Sequence, residues 1–151
     1  MTVQTEIKNE KLLFATLIKK IQQSKTLKKI ETKSHRKYTF DTFVVDIELG
    51  GNDEHQVFSV LDKQGKTLLV RDCGVPDVEG DALKICEARW NLLEDLWTAL
   101  NKREEQEMAK EAKTAALKEA QNRVKLTKAI RAKQVADAAK AQQTIDKLQR
   151  L

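Results

Sequence analysis

The side chains of this chain that most often bind zinc or act as nucleophiles are few, namely His35, His55, Cys73 and Cys86. Zinc sites usually contain ligand pairs separated by about two to four residues, and no two of these four lie that close together. Cys73 would need a neighbouring base to act as a nucleophile, and the sequence places neither histidine beside it. We therefore expect a small buried thiol at Cys73.

Acidic side chains give the second chemical pattern. Asp46 and Glu48 are two residues apart in an apolar stretch, so they share one face of a strand, with Asp41 and Asp62 near in the predicted sheet. Paired carboxylates can hold Mg²⁺ in nucleases, but the Glu-x-Lys strand element of such sites is missing. A solvated acidic face that can bind a basic partner is favoured.

Established catalytic motifs are missing as well. The sequence contains no Gly-x-Ser-x-Gly turn, no glycine loop of the phosphate-binding type and no His-Glu-x-x-His helix. We predict no catalytic residue, no bound metal, no cofactor and no small-molecule substrate, and hence a protein that is not an enzyme.

Backbone-breaking residues locate the strands that would position these groups. All five glycines and the one proline fall between positions 50 and 80. Three runs rich in Val, Phe, Leu and Thr lie in or just before that window: Tyr38 to Leu49, Val57 to Asp62 and Lys66 to Asp72. The connections at 50–54 and 63–65 are too short for parallel crossovers. A three-stranded antiparallel sheet follows, with Phe43, Val45, Ile47 and Leu49 on its buried face.

Helices flank the predicted sheet. The first, about Thr5 to Ser24, has Phe14, Leu17, Ile18 and Ile21 at helical spacing. The second begins near Asp81, with Asp77 or Asp81 as N-cap, and no glycine or proline interrupts it up to Leu151. Its first part bears Cys86, Trp90, Leu93, Trp97 and Leu100, a stripe that we expect to cover the sheet. The fold class is α+β in αβββα order, with a very long C-terminal helix.

The pattern changes after position 101, which divides the chain into a small α+β domain at 1–101 and a charged, Ala/Lys-rich helical extension at 102–151. The stripe first continues as Glu104, Glu107 and Glu111. A weaker apolar register then returns, interrupted by Thr127, Arg131 and Gln134: Leu117, Ala120, Val124, Ala138, Ala141, Ile145 and Leu148. This register predicts a coiled-coil-like arm that pairs with a partner; the alternative is a partly frayed, solvated helix.

Charge is segregated along the sequence. Residues 1–37 have a net charge of +7, residues 38–101 of −8 and residues 102–151 of +6. Clustered cations can displace counterions from a phosphate backbone, so the N-terminal cluster is a candidate for binding nucleic acid. Its members are Lys19, Lys20, Lys25, Lys28, Lys29, Lys33, Arg36 and Lys37. A solvated basic face is the alternative.

The order helix, three strands, helix over about residues 5–101 is similar to that of the double-stranded RNA-binding domain. That family opens its last helix with a lysine-rich phosphate-binding segment. The equivalent segment here, 79–84, is Glu-Gly-Asp-Ala-Leu-Lys and is mostly acidic. We do not assign the chain to that family.

The favoured hypothesis is a non-enzymatic cytoplasmic interaction protein of the adaptor or inhibitor type. No run approaches the roughly 18 apolar residues of a membrane span, and the N-terminus lacks the plan of a signal peptide. The protein would form a homodimer or bind a protein partner through its long helix and acidic sheet domain. Candidate partner-binding residues are Trp90, Leu93, Trp97, Leu100, Leu117, Val124, Ile145 and Leu148. The alternative is sequence-nonspecific binding of nucleic acid by the basic N- and C-terminal arms.

Overall fold

Two helices and five strands form the protein in a computed structural model that describes residues 2–50, 55–73 and 79–151. The elements in chain order are α1 (Val3–Gln23), β1 (Leu27–Glu31), β2 (His35–Phe40), β3 (Phe43–Leu49), β4 (Gln56–Asp62), β5 (Thr67–Asp72) and α2 (Asp81–Gln149). Thr2 caps α1, and its hydroxyl accepts a hydrogen bond from the Thr5 N–H at 3.1 Å. The α+β class and the long C-terminal helix are confirmed.

The sheet has five strands where the sequence predicts three. Its order is β1-β2-β3-β4-β5, with every neighbouring pair antiparallel. The predicted strand from Tyr38 to Leu49 is two strands, because the chain reverses between Phe40 and Phe43 and pairs Thr39 with Val44. The rings of Phe40 and Phe43 stack across this turn with centroids 4.7 Å apart. β1 comes from the lysine-rich segment that the sequence analysis assigned to no strand.

The hairpin between β4 and β5 forms where it is predicted. The Gly65 N–H donates to the Asp62 carbonyl at 3.1 Å, and the Asp62 N–H donates to the Lys66 carbonyl at 2.9 Å. Gly65 has a φ of 86°, which a residue with a Cβ rarely adopts. The Gly at 65 therefore permits this short connection, residues 63–66. The loop predicted at 50–54 lies outside the described residues from 51 onward, as does Asp77.

The hydrophobic core lies on the face of the sheet that the helices cover. The predicted face of β3 is confirmed, with Phe43, Val45 and Ile47 buried and Leu49 packed against the core. α1 contributes Phe14, Leu17 and Ile21, and α2 contributes Leu93, Leu96 and Leu100. The rings of Phe14 and Phe58 meet edge to face with centroids 5.3 Å apart, which joins α1 to β4.

The chain divides into two compact units, residues 1–108 and residues 109–151. We call them the sheet unit and the helical unit. The division falls between Met108 and Ala109 within α2, seven residues after the boundary between 101 and 102 that the sequence pattern predicts.

Candidate partner-binding surfaces

The helical unit presents an exposed apolar stripe. Every residue from 109 to 151 is exposed except Asp146. The four large side chains that the sequence singles out in this unit all lie at the surface, with exposed fractions of 60% for Leu117, 55% for Val124, 46% for Ile145 and 62% for Leu148. The stripe is apolar at its two ends and is interrupted by Thr127, Arg131 and Gln134 at its centre. Contiguous exposed apolar surface often marks a place that another molecule covers.

The same unit is strongly basic. It contains eleven lysine and arginine residues and four acidic ones, a net charge of +7, whereas the sheet unit has 17 basic and 19 acidic residues. Some of the basic side chains make local pairs, such as Arg123 with Glu119 at 2.7 Å one turn earlier. The exposed pair contributes little to stability. The helical unit therefore offers two features for recognition, an apolar stripe and a positive surface.

The four candidates in the first part of α2 belong to the core of the sheet unit. Leu93 and Leu100 are fully buried, and Trp90 and Trp97 are half-buried and packed against the core. The Trp97 indole N–H donates to the Gln56 side chain at 2.8 Å, and its ring meets Tyr38 edge to face. Leu93 and Leu100 are therefore core residues that their own sheet covers, whereas Trp90 and Trp97 keep part of their surface exposed.

The eight residues of the N-terminal basic cluster do not form one patch. Lys29 lies on the covered side of the sheet, where its ammonium is 3.0 Å from Glu104 and 3.5 Å from Glu31, and Arg36 pairs with Glu31 at 2.9 Å. Strand alternation places Lys28 and Lys37 on the opposite face. The other four lie on α1 or in connections: Lys19, Lys20, Lys25 and Lys33. The close spacing in sequence does not give a continuous phosphate-binding surface.

A buried ionic cluster joins α1, β5 and α2. The Glu10 carboxylate accepts hydrogen bonds from Arg71 at 2.8 to 3.1 Å and from Arg89 at 3.2 Å, and Glu10 is 7% exposed. Burial alone would raise the pKa of Glu10, but the hydrogen bond and charge of Arg71, followed by those of Arg89, hold it below its ordinary value. Sequence reasoning missed this cluster because its members are far apart in the chain and a charged helical residue resembles a solvated one.

Arg103 is a second buried charge that the sequence does not single out. It is 6% exposed and donates to the Ser24 hydroxyl at 2.9 Å, to the Ser24 carbonyl at 3.2 Å and to Glu107 at 2.9 Å. Glu104 and Glu107, the predicted acidic continuation of the stripe, thus pair with Lys29 and Arg103. Packing of α2 against the sheet unit therefore continues past residue 101.

An apolar groove of about 690 Å³ lies beside α1 and the edge strand β5. Leu12 and Leu68 form exposed parts of its wall, and Leu17, Phe43 and Val60 form its floor. No sequence pattern indicates this groove, because it arises from α1 and three strands that are far apart in sequence.

The candidate chemical groups are engaged in structural contacts. The Cys73 thiol is buried, and burial is the main cause that raises its pKa to about 11, so the reactive thiolate is scarce at neutral pH. His35 lies 3.2 Å from Asp46 and His55 lies 3.2 Å from Asp72. In residues 2–50, 55–73 and 79–151 no group of three or more His, Cys, Asp or Glu side chains could hold a metal ion.

Comparisons with known proteins add no relationship: no protein-family model, no curated protein and no solved structure matched the chain. Within the described part of the chain, no helix is both long and apolar enough to cross a membrane. With five strands between its helices, the chain also differs from the three-stranded order of the double-stranded RNA-binding domain.

Proposed function

We propose that this protein is a non-enzymatic interaction protein that self-associates through its helical unit. The observation that supports the proposal is the exposed stripe formed by Leu117, Ala120, Val124, Ala138, Ala141, Ile145 and Leu148. These residues alternate at intervals of three and four once the polar positions 127, 131 and 134 are included, which is the spacing of a coiled-coil seam.

Burial of this stripe is the driving force. Each large side chain transferred from water to an interface contributes about 1.5 to 3 kcal/mol, less the ordering cost of association. The polar positions at the centre of the stripe weaken the seam, so we expect micromolar rather than nanomolar association. The sheet unit would be held in pairs and could present its acidic residues to a basic protein partner.

Two substitutions on the same helix test the role of the stripe. Val124 lies in the stripe and Leu126 lies outside it, and both are more than half exposed. Val124→Glu should abolish association because it places a carboxylate in the seam. Leu126→Glu, which changes the net charge equally, should leave association unchanged. Light scattering after size exclusion at tens of micromolar reads out both masses.

Equal masses of the two variants would contradict the proposal, since a nonspecific charge effect would act on both. Circular dichroism of each variant checks that α2 remains helical. Loss of helix in the Val124→Glu variant alone would agree with the proposal, because isolated helices depend on packing for their stability.

The second candidate function, sequence-nonspecific binding of nucleic acid, is favoured by one observation. The basic residues of the helical unit, with a net charge of +7, are all exposed and could neutralise several phosphates together. Of the N-terminal arm, only the members without acidic partners, such as Lys19 and Lys20, would add to this surface.

Binding of a labelled duplex of random sequence at two salt concentrations tests this candidate. Neutralisation of Lys125, Lys128 and Lys133 by Gln should weaken binding and lower its salt dependence. The control is neutralisation of Lys63, Lys66 and Lys84 in the sheet unit. The absence of binding at low salt would exclude the candidate.

A further inference from the structure

The centre of the stripe in the helical unit contains charge and polarity where a coiled coil is usually apolar. When Leu117 is set as position a of a heptad, Val124, Arg131, Ala138 and Ile145 follow as further a positions. The d positions are then Ala120, Thr127, Gln134, Ala141 and Leu148. All of these residues are exposed. Thr127 is the one whose side chain bonds within its own helix among the described residues, since its hydroxyl donates to the Arg123 carbonyl at 3.0 Å.

A parallel pair of these helices would bring like charges together twice. In parallel pairing each a residue faces the same residue of the second copy, so the two Arg131 guanidiniums would meet inside the seam. Position g of one heptad also faces position e of the next heptad on the other helix, which would set Arg123 beside Lys128 of the second copy. Like charges in such positions are destabilising.

An antiparallel pair removes the contact of Arg123 with Lys128 and moves the two Arg131 side chains out of direct opposition, into neighbouring layers of the seam about 4.5 Å apart along the helix axis. In that orientation a residues face d residues, and Leu117 can lie opposite Leu148 of the second copy. The same alignment sets Val124 opposite Ala141, Ile145 opposite Ala120, and Thr127 opposite Ala138. Arg131 then lies opposite the side-chain amide of Gln134, whose oxygen can accept a hydrogen bond from the guanidinium.

The antiparallel alignment also pairs side chains of complementary volume. Two leucines meet at each end of the seam, and each β-branched residue faces an alanine. Every a and d position from 117 to 148 has a counterpart, because the two helices overlap along the whole stripe. One contact favours the parallel arrangement, that of Ile130 with Val135 of the second copy. It lies at the edge of the seam, where it is partly wet, and does not offset two opposed guanidiniums in its centre.

We infer that the occupant of the stripe is a second copy of the same helix, paired antiparallel with Leu117 opposite Leu148. The inference rests on the proposed self-association and specifies its partner and orientation. It also gives Arg131 a role, since a polar residue at one a position selects the orientation at a cost in stability.

Disulfide trapping separates the two orientations. Full-length chains in a Cys73→Ala, Cys86→Ala background bear either Leu117→Cys or Leu148→Cys, with different tags. Each variant is first oxidised alone. In a second sample the two variants are mixed, unfolded in urea and refolded together, so that mixed dimers can form, and this sample is then oxidised. We expect a cross-linked dimer in the mixture and almost none with either variant alone. Cross-linking of the Leu117→Cys variant to itself, or no cross-link in a mixture that light scattering shows to be dimeric, would overturn the inference.

The same experiment distinguishes failure of the proposed orientation from failure of the proposed self-association. A self-linked Leu117→Cys dimer overturns the orientation and leaves self-association intact, whereas a monomeric background protein by light scattering overturns both. A third variant tests the role of Arg131. Arg131→Leu added to Leu117→Cys should raise self-linking several-fold, because the charge that opposes the parallel pair is gone. An unchanged self-linking yield would contradict that role.

Discussion

Glu10 is a buried charged residue that joins three elements of the sheet unit. Its carboxylate binds Arg71 and Arg89 and so connects one helix, the edge strand β5 and the start of α2. We predict that Glu10→Gln lowers the free energy of unfolding by about 2 kcal/mol, because the two guanidiniums lose their counter-charge but remain partly solvated. Urea unfolding measures the loss, and the exposed Glu94→Gln is the matched control, with an expected change below about 0.5 kcal/mol.

The Glu10 carboxylate also makes the free energy of unfolding depend on pH in the acidic range. The pKa of Glu10 is lower in the folded than in the unfolded protein, so its contribution is complete above the unfolded value of 4.5. As pH falls below 4.5 the unfolded chain takes up the proton first, and this contribution is lost. The wild-type protein should therefore lose stability more steeply than the Glu10→Gln variant between about pH 4.5 and 3. Parallel curves for the two proteins would contradict the assignment.

Tyr38 presents the opposite case, a polar atom whose burial is not compensated by a hydrogen bond within the described part of the chain. Its hydroxyl has no hydrogen-bond partner in the described residues, and burial is the main cause that raises its pKa. Tyr38→Phe keeps the ring and removes the unsatisfied group, so we expect the free energy of unfolding to stay the same or rise by up to about 1 kcal/mol. A loss above about 1 kcal/mol would show that the hydroxyl has a partner after all.

Several residues of α2 together determine where the sheet unit ends. Arg103 and Glu104 bind Ser24 and Lys29, so a chain that ends at Asn101 lacks both contacts. We predict that residues 1–108 fold into a stable monomer and that residues 1–101 melt at least about 8 °C lower. This corresponds to roughly 2 kcal/mol for a unit of this size. Equal melting temperatures for the two truncations would contradict the importance of these contacts.

The strands show what the sequence could and could not predict. β4 and β5 were predicted because apolar runs are separated there by a turn with a glycine at 65. The turn at 41–42 contains neither glycine nor proline, so the sequence of β2 and β3 has the pattern of a single long strand. β1, with the sequence Leu-Lys-Lys-Ile-Glu, has the charges that protect an edge strand from pairing with other chains, and these charges hid its strand character.

Part of the candidate partner-binding site could also be predicted from the sequence, and part could not. The exposed stripe of the helical unit follows from spacing alone, since a helix fixes which residues share a face. The location of Trp90 and Trp97 does not follow from spacing, because a large aromatic side chain is equally common in a protein core and in an interface. Only the position of α2 against Tyr38 and Gln56 places these two residues inside the sheet unit.

At the scale of the whole molecule, the two candidate functions predict opposite effects of salt. Each helical unit has a net charge of +7, so two of them repel and salt should tighten self-association by screening that repulsion. Binding to nucleic acid should weaken steeply over the same range because it depends on counterion release. The dimer dissociation constant and the duplex affinity, both measured between about 50 and 500 mM NaCl, test this contrast. A dimer that dissociates as salt rises would contradict an apolar seam.

Sedimentation equilibrium of the unmodified full-length protein tests self-association most directly. At tens of micromolar in moderate salt, we expect a mass of about twice the 17.2 kDa of one chain for the full-length protein, and a single-chain mass for residues 1–108. A single-chain mass for the full-length protein across that concentration range would contradict the central claim. A dimeric mass for residues 1–108 would move the interface from the helical unit to the sheet unit.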